Sequence, residues 1–197
     1  MASRILQRVN AKQTALLVCD MQEKFRNNIK YFPEIVTVTK RLVDTSKILN
    51  LPIVATEQYP KGLGHTVPEL GLAELNVPTF AKTVFSMVND DVIGILESKS
   101  VKDIVLTGIE AHVCVYHTTL DLLEKGYNVH VVVDATSSRS MTDRIFAYKS
   151  LKQAGAVLST SETIILGLLG GSHHPNFREV QKLIMESAPD TGLLGKL

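Results

Sequence analysis

Short apolar runs alternating with helical patterns predict an α/β protein: a three-layer α/β/α sandwich on a six-stranded, mostly parallel sheet. Three observations carry this. The strand candidates are apolar on both faces, as strands covered on both sides must be. The stretches between several of them place apolar residues three and four apart, which is the helical period. Those stretches are also long enough for the crossovers that parallel strands require.

The elements follow in order. Thr14-Ala15-Leu16-Leu17-Val18-Cys19 is a continuous apolar run ending at Asp20, suited to a central strand. Residues 33–49 read as a helix, with Pro33 at its start and Ile35, Val38, Leu42 and Leu49 on one face. A second strand covers 52–57, and a Gly- and Pro-rich loop covers 58–78. Residues 79–84 form a short strand and 90–98 a helix. Strand 104–107, the helix opening at Cys114 and closing near Gly126, and strand 129–133 follow. A helix over 141–154 closed by Gly155, a strand over 156–159, a helix starting at Thr160-Ser161-Glu162 and a last helix over 175–187 complete the chain.

A chain of 197 residues suits a single domain spanning 1–197 and can bury about 70% of its unfolded surface. A net charge of +1 gives no electrostatic case for nucleic acid or an anionic membrane. A nuclease is disfavoured with it, since neither an acidic metal cluster nor a basic face is visible. No apolar run approaches the roughly 18 residues of a membrane span. Two cysteines do not make a disulfide scaffold, so a reducing compartment, the cytosol first, is expected. Arg4, Arg8 and Lys12, with no acid among the first twelve residues, leave a mitochondrial presequence open.

The chemistry centres on Gly108-Ile109-Glu110-Ala111-His112-Val113-Cys114-Val115. A strand, a glycine, a short turn and a cysteine opening a helix make a nucleophile turn. A thiol there sits at the positive end of a helix dipole, and the free N–H groups of the first turn can meet an oxyanion. Asp20, Glu57, Cys114 and Asp134 all fall at or just beyond strand carboxyl ends, where such folds gather their reacting groups.

Asp20-Met21-Gln22, Phe80-Ala81-Lys82-Thr83-Val84-Phe85-Ser86 and the 108–115 stretch together resemble the isochorismatase-like cysteine hydrolase family. Thr56-Glu57-Gln58-Tyr59-Pro60 and the tail 188–195 are similar to its animal isochorismatase domain-containing members. The resemblance implies a catalytic triad of Asp20, Lys82 and Cys114. It also implies a cis peptide at Ile109–Glu110 and an oxyanion hole made by the N–H groups of Glu110 and Cys114. In this scheme Asp20 takes the thiol proton while Lys82 stabilises the thiolate. Relatives of the nicotinamidase type hold a metal beside the triad through an Asp-x-His motif. This chain has Glu57-Gln58-Tyr59-Pro60 and a distant His65 instead, too few donors for a catalytic zinc, so neither metal nor cofactor is expected. The vinyl-ether-cleaving members lack the cysteine, and keeping Cys114 points to amide or related C–N hydrolysis through a thioester.

Gln22, Phe25, Tyr59 and Phe85 are candidate walls of a small-molecule pocket by adjacency to the triad. Glu110 is expected to turn its carboxylate from the reacting centre toward a hydrogen bond or cation, and so to bias the pocket against anionic substrates. A Cys–His dyad through His112 or His117 is disfavoured, and His173-His174 reads as a loop. Cys19 is expected to be buried with no cation nearby. The apolar stretch 164–169 and Leu193-Leu194 suggest surface covered in a homo-oligomer, a dimer at least, with burial in the domain's own core as the alternative. The rival functional reading is a catalytically silent binding or scaffold protein on the same fold.

Overall fold

The computed structural model describes residues 8–193. Its six strands are β1 (Thr14–Cys19), β2 (Ile53–Gln58), β3 (Thr79–Lys82), β4 (Asp103–Ile109), β5 (Asn128–Ser137) and β6 (Val157–Ser159). They form one sheet in the order β3-β2-β1-β4-β5-β6, every pairing parallel. The helices are α1 (Phe32–Ile48), α2 (Pro60–Leu63), α3 (Asp90–Ser98), α4 (Cys114–Glu124), α5 (Met141–Ala154), α6 (Ser161–Leu169) and α7 (Phe177–Gln181). Because β2 and β4 lie on either side of β1, the winding reverses between β1 and β4. The crevice above that reversal is where ligands bind in open α/β sheets.

Two apolar clusters flank the sheet. Ile35, Val38 and Leu42 of α1 pack with Ile164, Ile165 and Leu168 of α6 against Leu16, Val18 and Val132. On the other face Val92 and Leu96 of α3, Val115 and Leu122 of α4 and Leu151 of α5 cover Leu17, Cys19, Leu106 and Val131. Alternation along β1 and β5 thus feeds both cores, which is why β1 reads as a continuous apolar run. Among the described residues no helix is long and apolar enough to cross a membrane.

Several expectations are corrected. β4 continues past residue 107 through Gly108, whose φ is +111°. A Cβ there would lie 2.0 Å from the carbonyl oxygen of Cys19 on β1, so only glycine permits the close pairing of these strands. β5 runs to Ser137, with a register irregularity in which two steps along β4 span five along β5. Asp134 is therefore not at a strand end. Its carboxylate accepts from the N–H (2.8 Å) and hydroxyl (2.6 Å) of Ser161, closing the start of α6. Thr160, the residue before α6, makes no side-chain cap and bonds Thr163 instead.

The stretch 164–169 is core rather than interface: Ile164, Ile165, Leu168 and Leu169 are buried and Leu166 alone of its leucines is exposed. Leu193 packs on the second cluster, while Leu194 and Arg4 lie outside the described residues. The last helix is only Phe177–Gln181. Beyond it Ile184 and Ala188 still pack on the first cluster, while Met185 is exposed.

Candidate active site

The carboxyl ends of β1 and β3 hold the two charged members of the site on either side of β2. Asp20 follows β1 with φ 50°, a left-handed turn that Asp tolerates better than most residues. Lys82 ends β3, registered beside Gln58 of β2. Both side chains are essentially dry, at 1% and 2% exposure, and Lys82 Nζ stands 2.7 Å from Asp20 Oδ2. A charge pair this deep is sustained only if its remaining valences are met.

β2 and the segment after β3 meet most of them. Thr56 donates its hydroxyl to Asp20 Oδ1 at 2.8 Å. Lys82 donates to Gln58 Oε1 (2.7 Å), to the carbonyl of Phe85 (2.9 Å) and to that of Val84 (3.2 Å). An ammonium has three N–H donors, and these acceptors share them with Asp20. Asp20 Oδ2, at 2.7 Å, is the charged one among the acceptors that share this ammonium. It is a buried acceptor whose one donor neighbour among the described residues is that ammonium. Burial works against the Lys82 ammonium, but Cys19, Asp20 and Cys114 outweigh it and hold its pKa above the ordinary lysine value.

Cys114 is the first residue of α4, 7% exposed, in the apolar cluster that also holds Cys19 and Ala111. The turn before it is tied down from within. Glu110 O accepts from Val113 N (3.0 Å) and Val115 N (3.2 Å), and Ala111 N donates to Ser137 O of β5 at 2.8 Å. The Ile109–Glu110 peptide is cis. The N–H groups of Glu110 and Cys114 have no acceptor among the described residues. The carboxylate of Glu110 turns away to accept from the N–H of Arg139 (3.0 Å), with Arg139 Nε at 3.4 Å.

The pocket candidates separate into two kinds. Gln22 is not a wall but fully buried framing: its amide donates to Gln58 O (2.9 Å) and Gly64 O (2.7 Å), and its oxygen accepts from Gln58 N (2.7 Å). Phe25 packs on the α1 side of the sheet, against the first core cluster. Tyr59 and Phe85 stay exposed, at 55% and 54%, as does Val84. Phe85 stacks on His117 with 5.8 Å between ring centres, which fixes that histidine on the surface. His112 is engaged with Ser138 at 3.0 Å. Glu57 accepts from the N–H and hydroxyl of Thr66 and faces His65 at 3.0 Å. Burial raises its pKa, but these hydrogen bonds outweigh burial and leave it below the ordinary carboxylate value. Among the described residues no group of three or more His, Cys, Asp or Glu is placed to hold a metal ion.

Two features escaped sequence reasoning. Thr56 and Gln58, two apart on one strand, are the side chains that orient Asp20 and Lys82; their shared face was the available signal. Cys19 is buried as expected but not remote from charge. Burial first, then a hydrogen bond with the Cys114 thiol and the nearby Asp20, push its pKa well above the ordinary thiol value, against an opposing pull from Lys82.

Comparison with known proteins places these observations in a lineage. Residues 14–163 match the Isochorismatase domain. Isochorismatase domain-containing protein 2 of Homo sapiens is 53% identical over 190 residues, 96% of this chain and 92% of that protein. The structure of MAR1 ribonuclease from Caenorhabditis elegans superposes with a TM-score of 0.92 at 61% identity, covering 97% of this chain and all of that one. YcaC from Pseudomonas aeruginosa, solved with hexane-2,5-diol and covalent acrylamide, gives a TM-score of 0.84 at 25% identity, covering 93% of this chain and 94% of that one. The match runs from β1 through the start of α6 and includes every strand that carries the site, so the chain belongs to the isochorismatase domain family.

Proposed function

We propose that the protein hydrolyses a small, uncharged amide or related C–N substrate through a thioester on Cys114. The observation that carries this reading is the buried Asp20–Lys82 ion pair, whose Oδ2 has the ammonium as its one donor neighbour among the described residues and lies close to the helix-opening cysteine. A carboxylate oxygen in a dry site with a lone pair to spare can accept a proton, and the thiol supplies one. Asp20 takes the Cys114 proton and the thiolate attacks the substrate carbonyl. The free N–H groups of Glu110 and Cys114 receive the oxyanion. Asp20 returns the proton to the departing amine, then draws one from the water that clears the thioester. Lys82 offsets the negative charge throughout, so the scheme routes no step through a metal.

Two features support an uncharged substrate. Tyr59, Val84 and Phe85 expose apolar surface in the segments that follow β2 and β3, and Glu110, four residues before Cys114, carries a carboxylate that disfavours anions. YcaC's covalent acrylamide is in keeping with a nucleophile in that related protein. The test is a panel of small amides with intact-mass detection of an acyl adduct, using wild type, Cys114→Ala and Asp20→Asn. Turnover and adduct should vanish in both variants. Turnover that survives in Cys114→Ala sinks the thioester mechanism, and no turnover or adduct in wild type favours the binding-protein reading.

A second reading has one specific observation behind it, the C. elegans neighbour's name as a ribonuclease. Phosphodiester cleavage by Asp20 and Lys82 would not need the thiol. Cleavage of single-stranded RNA by wild type and Cys114→Ala alike would favour it over the amide hydrolase.

A further inference from the structure

The two cysteines of this chain are brought together by the fold. Cys19 ends β1 and Cys114 opens the helix that follows β4; β1 and β4 are adjacent, with Cys19 registered opposite Gly108. The glycine at that position lets the two backbones approach more closely than any side chain would allow. Both residues lie in the same apolar cluster on the α4 side of the sheet, and each thiol is near enough to influence the other's ionisation. Their accessibility differs in a useful sense. Cys114 keeps 7% exposure, whereas Cys19 keeps none. A small oxidant entering from the crevice therefore meets Cys114 first, with Cys19 waiting behind it.

We propose that Cys19 is a resolving cysteine for Cys114, so that oxidation of the site by a hydroperoxide ends in a reversible Cys19–Cys114 disulfide. The steps balance. The Cys114 thiolate attacks the peroxide oxygen and becomes a sulfenic acid, and the peroxide leaves as hydroxide or alcohol. The Cys19 sulfur then attacks the sulfenic sulfur. The S–O bond breaks, and the departing oxygen carries off the Cys19 proton as water. Sulfur is oxidised, peroxide is reduced, and a dithiol reductant restores both thiols. The chemical consequence is protection. Without a second thiol in reach, a sulfenic acid under continued peroxide proceeds to the sulfinic acid, which dithiols do not reverse. The inference shares with the proposed hydrolysis only the need for a reactive Cys114 thiolate, and its readout requires no substrate.

The experiment is peroxide titration of the full-length protein, read by denaturing intact-mass spectrometry before and after dithiothreitol, with Cys19→Ala and Cys19→Ser alongside. Wild type should lose about 2 Da, remain monomeric on non-reducing gels, and recover its mass and two alkylatable thiols on reduction. The Cys19 variants should instead gain about 32 Da on Cys114 and not recover. Wild type alone decides the matter should either variant fail to fold. Overoxidation of wild-type Cys114 with Cys19 still free would overturn the proposal. So would a disulfide found only between chains, or Cys19 variants that resist overoxidation as well as wild type. Amide hydrolysis abolished in Cys114→Ala while wild type forms no internal disulfide would refute this inference alone and leave the mechanism above standing.

Discussion

Replacing Lys82 with methionine keeps the length and apolar stem of the side chain and deletes only the ammonium. The structure indicates a large effect. Asp20 and Lys82 are 1% and 2% exposed, so neither water nor counterions can take over the missing charge. The carboxylate is left with Thr56 as its one hydrogen-bond donor, and Gln58 Oε1 and the carbonyls of Val84 and Phe85 lose theirs. Breaking one side of a buried ion pair costs about 3–5 kcal/mol. With a urea dependence of roughly 2 kcal/mol per molar, the unfolding midpoint should fall by about 2 M. Because the loss comes from an uncompensated carboxylate, the double variant Asp20→Asn with Lys82→Met should be the more stable of the two, by about 2 kcal/mol. Urea unfolding followed by circular dichroism measures both, and iodoacetamide labelling of Cys114 should slow in the single variant. A loss under about 1 kcal/mol, the value of an exposed pair, would refute the reasoning. So would a double variant no more stable than Lys82→Met alone.

Three further outcomes follow from other parts of the fold. Asp134→Ala should cost about 1–2 kcal/mol by uncapping α6, while leaving any hydrolysis unchanged at saturating substrate; a selective loss of turnover would return Asp134 to the site. Gly108→Ala should yield no folded protein, because its Cβ would meet backbone rather than a movable side chain, and a soluble variant of native circular dichroism would contradict the pairing described. Burial holds the His130 pKa below its ordinary value, against a pull upward from Asp103, and its Nε2 has no partner among the described residues. The unfolded chain therefore takes up this proton first. Stability should fall as pH drops below about 6.5 and level off once the folded protein is protonated too. His130→Leu should flatten that part of the stability profile, and an unchanged slope would exclude His130 as its source.

Much of this protein was legible in its residues before any coordinates. Local rules sufficed for the apolar runs that became β1 and β4, for the helix opened by Cys114, and for α5 closed by Gly155. These depend on neighbours in sequence: period, propensity, and a glycine where the chain must turn left-handed. The three motif segments were enough to place the chain in its family and to single out Asp20, Lys82 and Cys114. What they could not supply was anything set by who packs against whom. The apolar stretch 164–169 reads identically whether α6 faces a partner or its own sheet, and only the position of α1 and β5 decided that it is core. Asp134 looks like a strand-end acid until the register irregularity of β5 carries it inside and Ser161 meets it. Gln22 adjoins Asp20 in sequence, yet its side chain is consumed by backbone groups of residues 58 and 64. The meeting of Cys19 with Cys114 belongs to the same class. It exists because two distant strands pair over a glycine, and long-range pairing leaves no mark in the local pattern of a chain.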